Sequence, residues 1–186
     1  VAAQVYRFDA PDRFIAGTVG RPGERSFFLQ VRDSTRLISV LLEKEQVSVL
    51  AERLDTMLDE VLRRSEGGVD VPAESPEEVD DLDPLEQPIV EEFRVGAMTL
   101  SWDGDDERVV VAAYAAGEEE TEPPDDPEDS DRDVVVVRLT GEDARAFVKR
   151  AQALVAAGRP PCPLCSLPLD ADGHICPRQN GYRRRS

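Results

Sequence analysis

Twice along this chain, a group of short β-type runs gives way to one helical stripe, and this repeated change of hydrophobic period limits the possible folds more than any other feature. The first group is Val5–Phe8, Phe14–Val19, Ser26–Val31 and Leu37–Leu42, separated by turn-forming Asp9-Ala10-Pro11-Asp12, Gly20-Arg21-Pro22-Gly23 and Arg32-Asp33-Ser34-Thr35. The period then changes to 3.6. Val47, Leu50, Leu54, Met57, Leu58 and Val61 recur on one side of a helix running from about Glu43 to Arg64 and stopped near Gly67-Gly68. The stripe could serve as a partner groove, but packing on the preceding strands is the simpler reading.

The second group echoes the first. Phe93-Arg94-Val95-Gly96 resembles Phe14-Ile15-Ala16-Gly17, and Arg108–Val111 and Val134–Val137 stand where Ser26–Leu29 and Leu37–Val40 stood. Shifting the helical stripe by 97 positions puts Val47, Leu50, Leu54, Met57 and Leu58 on Ala144, Phe147, Ala151, Leu154 and Val155, all apolar, and Arg53 on Arg150. Thr140 is the N-cap of this second helix, with Asp143 three residues on; Gly158 ends it and Pro160-Pro161 prevents continuation. The expectation is an α+β fold of two β-β-β-α repeats, produced by internal duplication. Their strands form antiparallel sheet with both helices on one face, and a small C-terminal zinc knuckle follows.

Charge divides the chain further. The formal net charge is −17, but residues 66–92 hold eleven Asp and Glu with no Lys or Arg, and residues 117–131 hold nine acids with no base. Without those two blocks the remainder is slightly basic. Proline and acid dominate 66–91, which therefore reads as an acidic flexible linker unable to bury enough apolar surface to order itself. The second block is an expanded hairpin loop, 117–132. The expected division is a first repeat at 1–65, the linker at 66–91, a second repeat at 92–158, and a knuckle with basic tail at 159–186.

All three cysteines and the single histidine lie in the last part, as Cys162, Cys165, His174 and Cys176. The spacing C-x2-C-x8-H-x-C can close a tetrahedral shell of three thiolates and one imidazole around Zn2+, one ion per chain. Four protein ligands leave no open position, so the expected role is structural. A redox C-x-x-C would normally open a helix after a strand, whereas prolines and a loop surround this one. Clustered thiolates in odd number fit a reducing cytoplasm, no apolar run approaches the roughly 18 residues of a membrane span, and Val1–Arg7 lack the pattern of a secretory signal.

Arg178, Tyr182, Arg183, Arg184 and Arg185 follow the knuckle. They could contact phosphates and a base, could meet a protein partner, or could pair with the chain's own acids. Gly17-x-x-Gly20-x-x-Gly23 lacks the lysine and helix start of a phosphate loop and reads as a hairpin turn. Asp103–Glu107 after Trp102 is likewise a turn before it is a cation site. No Ser/His/Asp set can form except through His174, and no pair among the 39 carboxylates stands out.

Three stretches carry a family resemblance: Tyr6-Arg7-Phe8-Asp9-Ala10-Pro11-Asp12-Arg13-Phe14-Ile15-Ala16-Gly17-Thr18-Val19-Gly20, Glu91-Glu92-Phe93-Arg94-Val95-Gly96, and Gly158-Arg159-Pro160-Pro161-Cys162-Pro163-Leu164-Cys165 continuing to Pro177-Arg178-Gln179-Asn180-Gly181-Tyr182. They resemble domain-of-unknown-function family 3090, a set of actinobacterial proteins, over nearly the whole chain. The resemblance implies no particular activity. Members encoded beside histidine-phosphatase-like and lipid-kinase-like proteins imply a shared phosphorylation-related pathway. The functional expectation is a cytoplasmic, zinc-binding, non-enzymatic adaptor for a protein partner. Nucleic-acid binding through the knuckle and arginine tail, and an enzyme with carboxylates between the repeats, are the alternatives.

Overall fold

The computed structural model describes residues 2–21 and 23–157. Strands β1 (Val5–Phe8), β2 (Arg13–Val19), β3 (Ser26–Arg32) and β4 (Leu37–Leu42) lead into helix α1 (Lys44–Ser65). An acidic segment containing a single 3-10 turn at Glu77–Val79 then reaches β5 (Glu91–Asp103), β6 (Arg108–Ala115), β7 (Val134–Leu139) and helix α2 (Gly141–Ala156). The element types are those that the two periods predict. Ser26–Arg32 is aromatic and β-branched, and the apolar positions of both helices recur every three or four residues.

The strands form one seven-stranded sheet in the order β1-β7-β6-β5-β4-β3-β2. It is mixed, which corrects the expectation of an antiparallel sheet. The hairpin pairs are antiparallel, but β1 lies parallel to β7, with Val5 opposite Val134 and Phe8 opposite Val137. The start of β5 lies parallel to β4, with Ser39 opposite Glu91 and Leu41 opposite Arg94. Hairpin turns are visible in a sequence, whereas a parallel neighbour is delivered by a long crossover with no local signature.

The two sheet edges, β1 and β2, are neighbours in the chain. Five peptide steps from Phe8 to Arg13 reach at most about 18 Å, whereas seven flat strands would set the edges about 29 Å apart. The sheet therefore curls until its edges approach. Contacts across the seam agree: Arg36, in the β3–β4 hairpin, donates to the Arg7 carbonyl at 2.6 Å and lies 4.1 Å from the Phe8 ring centroid.

Alternation along the strands separates two faces. Inward side chains Phe8, Ala16, Leu29, Val31, Val40, Val111, Val137 and Leu139 share one core with Val47, Leu50, Leu54 and Leu58 of α1 and Ala144, Phe147 and Ala151 of α2. Both helices thus pack on the same face, and the Phe14 and Phe147 rings stack at 4.6 Å. Arg145 of α2, only 4% exposed, holds Asp55 and Asp59 of α1 at 2.6 and 2.8 Å and the Pro72 carbonyl at 2.9 Å.

The outward face is covered by the acidic segments. Where composition assigns 66–91 to a flexible linker, the structure shows a strap packed along α2 and around β2. Val71 packs beside Gly141 and is 6% exposed. Lys149 of α2 pairs with Asp80, and Arg13 of β2 grips the Asp81 carboxylate and the Asp83 and Pro84 carbonyls. Leu85 then sits against Ile15 and Phe28, with Leu41 and Ile89 around them. The Gln30 side chain takes both backbone groups of Glu86, at 2.7 and 3.0 Å. A few apolar residues at the right intervals, invisible in the segment's average composition, anchor it. On the other half, Glu128 of the 117–132 loop pairs with Arg7 beside Val134, Val136 and Tyr114, all under 4% exposed.

Candidate functional site

The strand β5 is about twice as long as its neighbour β4, and this mismatch creates a broad groove. Its first residues pair with β4; the register then breaks between Val95 and Ala97, and Ala97–Asp103 pair only with β6. Gly96 makes the break possible, since a Cβ there would come within 2.8 Å of the Ala116 backbone. Past Leu42 the chain leaves the sheet for α1, so residues 95–103 have no strand on that flank. From Ala97 to Asp103 the outward backbone N–H and C=O groups form an edge with no strand partner.

Helix α1 runs beside that edge without covering it. Its start is held by a reciprocal capping box between Glu43 and Gln46, and Gln46 also donates to the Val95 carbonyl at 3.1 Å. Glu43 pairs with Arg94 at 3.0 Å. Between helix and strand lies a groove of about 810 Å3, lined by Val49, Leu50 and Met57 from α1 and Met98 and Leu100 from β5, with Glu45 and Arg53 at its rim. Gly96 and Ala97 also border a second hollow of about 610 Å3, walled by Glu119, Glu120 and Glu122 and by Arg132, whose guanidinium donates to the Glu119 carbonyl. One end of the edge is therefore apolar and the other acidic. Among the described residues, none of Glu45, Glu119, Glu120 or Glu122 has an ion-pair partner.

The remaining polar clusters hold the fold together. Arg13 and Arg150 meet at Asp81, where Arg150 also donates to the Ala16 carbonyl at 2.8 Å. The Arg13 guanidinium holds the Asp81 carboxyl below its usual range, and Arg138 does the same for Asp103. Burial lowers Arg150 despite Asp81 beside it. The Tyr6 hydroxyl donates to Glu92 at 2.8 Å, which with burial pushes its pKa to about 12. Among the described residues, Asp33, Asp80, Asp81 and Asp103 are held below the usual carboxylate range chiefly by cationic partners, opposite to what a general acid at neutral pH requires. The cavity between β2 and α2, beside Asp81, is small, about 70 Å3.

Asp103 accepts from the Asp105 and Asp106 amides and pairs with Arg138, so the Asp103–Glu107 stretch is the turn that its Asp-Gly implies. The Gly17–Gly23 stretch carries β2 into its turn, with φ of 105° at Gly20 and 92° at Gly23. Cys162, Cys165, His174 and Cys176 lie outside the described residues, as do Arg178, Tyr182, Arg183, Arg184 and Arg185. Among the described residues no three or more His, Cys, Asp or Glu side chains converge as metal ligands would, and no helix is long and apolar enough to cross a membrane.

Sequence reasoning raised the α1 stripe as a partner groove, preferred packing on the strands, and did not find the open β5 edge. The helical stripe reads as core, and Leu50, Leu54 and Leu58 are core; Val49 and Met57, which flank it, face the groove. The available signal was Gly96 followed by the alternating apolar residues Met98, Leu100 and Trp102, an extended stretch too long to find a partner along all of β4.

Fold and groove together define a two-helix α+β domain on a curled mixed sheet, with one strand edge open beside a helix. The chain belongs to a family described as protein of unknown function (DUF3090), whose model matches residues 6–176. No curated protein and no solved structure matches it.

Proposed function

We propose that this protein is a zinc-binding, non-enzymatic adaptor of the cytoplasm that docks an extended segment of a protein partner between α1 and the open edge of β5. The observation that carries this reading is the unpaired edge itself, on a sheet whose other outward surfaces are covered by acidic segments. An added strand would gain backbone hydrogen bonds from residues 97–102, while the apolar groove would accept alternate side chains. Cys162, Cys165, His174 and Cys176 supply a donor set suited to structural zinc, and all four fall within the span matched by the family. The metal would hold the segment after α2 folded and leave no coordination position for chemistry.

The same reading includes duplication. Residues β1 and β2 act as one interrupted strand whose first part lies parallel to β7 and whose second part pairs with β3. The strand β5 does this without interruption, pairing first with β4 and then with β6. Two copies of one β-β-β-α unit, each lending the start of its first strand to the other, account for both.

Two measurements test the proposal. Elemental analysis of purified protein should give one zinc per chain, lost in Cys162→Ser or Cys176→Ser; metal-free protein prepared without chelator refutes the metal. Affinity purification from the native host should recover a reproducible partner at mild salt with the wild type and lose it with Val49→Arg, which places a charge in the groove. A partner retained equally by both proteins would remove the groove from the proposal.

A further inference from the structure

The groove has a polarity that specifies what fits it. Its Gly96 end is net acidic, with Glu45 on α1 and Glu119, Glu120 and Glu122 on the loop against the single cation Arg132; its Leu100 end is mainly apolar, with Val49, Leu50 and Met57 opposite Met98 and Arg53 as its one charge. An extended segment that places an aromatic residue at the Leu100 end and cations toward Gly96 would satisfy both ends while pairing its backbone with β5. Because β5 runs from Gly96 toward Leu100, a segment whose aromatic precedes its cations must run antiparallel to it.

The chain contains such a segment. Tyr182-Arg183-Arg184-Arg185 has an aromatic followed by three guanidinium groups. The described body carries a large excess of acid, and five of the chain's 22 Lys and Arg, namely Arg159, Arg178 and Arg183–Arg185, lie beyond it. Reach is sufficient. Even with Cys162–Cys176 drawn into a knuckle, the steps from Ala157 to Cys162 and from Cys176 to Tyr182 span about 36 Å when extended. A body of this size has a radius of gyration of about 15 Å. Apolar surface, unmatched acid and unpaired strand backbone are the three features that β-addition of an aromatic-basic segment would use.

We infer that residues 182–185 of this chain dock antiparallel on the β5 edge, with Tyr182 in the groove between Val49, Met57 and Met98 and Arg183–Arg185 over Glu45, Glu119, Glu120 and Glu122. The inference rests on reading the groove as a peptide-docking edge and names its resident occupant. A partner segment would then have to displace the tail, so occupancy of the groove sets the threshold for partner binding.

Hydrogen exchange on the full-length protein tests this. The amides of residues 97–102 that face α1 should exchange about tenfold or more slowly in the wild type than in Arg183→Glu/Arg184→Glu/Arg185→Glu, with the β6 amides unchanged as an internal control of folding. Tyr182→Ala should lose part of the protection. Glu45→Lys/Glu120→Lys should restore protection to the triple variant through reversed charge. Rapid exchange of those amides in the wild type, or equal protection in wild type and triple variant, overturns the assignment. Protection that increases with protein concentration gives the site to the tail of a second copy and overturns docking within one chain. Protection that appears only when the affinity-purified partner is added removes the tail and leaves the docking function standing.

Discussion

Arg145 is the clearest case of a single side chain joining distant parts of the chain. Its guanidinium, almost fully buried, ties α2 to Asp55 and Asp59 of α1 and to the strap at Pro72. Its partners are substantially exposed, so the pair itself is partly screened; the larger loss on removal is the packing and the orphaned carbonyl. Arg145→Ala is expected to lower unfolding stability by about 2 kcal/mol, and Arg145→Lys, which keeps the charge but not the fork, by less; denaturant titration measures both. Asp33, Asp80, Asp81 and Asp103 all have lowered carboxyl pKa values, Asp33 to about 2, with Arg36 as its main cause. A carboxyl lowered by folding contributes stability that is fully present above its unfolded value near 4 and is lost as pH falls through the folded value. Stability is therefore expected to be level above about pH 5 from these groups and to fall from about pH 4 toward pH 2. Asp81→Asn should flatten part of that decline, as read by thermal melts across pH.

At the scale of elements, the strap and the β5 groove are counterparts. One outward surface is covered because Leu85 fits over Gly17, where a Cβ would run into the leucine side chain; the other flank is open because nothing follows β4 along β5. Gly17→Ala is expected to destabilise by about 1–3 kcal/mol through overpacking. Leu85→Ala should destabilise through lost burial, yet the double substitution should fall well short of the sum, since the smaller residue makes room for the added methyl. Equilibrium unfolding of the four proteins decides this. Both helices, the hairpins and the inward alternation were legible in the sequence, because each is written in local period and turn chemistry. The docking of 66–91 was not, because Val71, Leu85 and Ile89 are three apolar residues in a segment otherwise rich in acid and proline, and their partners Gly141, Gly17 and Phe28 are far away in sequence. The open edge of β5 was hidden for a related reason. It depends on how far β4 reaches along its neighbour, a property of the pair and of neither strand alone.

For the whole molecule, the main constraint is the seam where the sheet's edges meet. The strand β1 adds only four residues, but Phe8 is 1% exposed and the Val134–Val137 backbone has its outer partner there. Removing residues 1–8 is expected to cost about 3–5 kcal/mol for the lost aromatic alone. It also leaves β7 as a bare apolar edge, so the truncated protein should self-associate more strongly than the full chain; sedimentation at matched concentrations compares them.

The β1–β7 pairing also has a consequence for timing. Val5 and Val134 are neighbours in the sheet, but a ribosome at about 5–20 residues per second makes the second many seconds after the first. Through that interval the strands from β2 to β4 can form hairpins and receive α1, while β1 waits without its partner strand. The last strand to emerge is the one that admits the first, so the fold locks from its end backward. A nascent chain stalled before residue 134 should remain sensitive to protease at its N-terminal strand, and one released past α2 should lose that sensitivity in a single step.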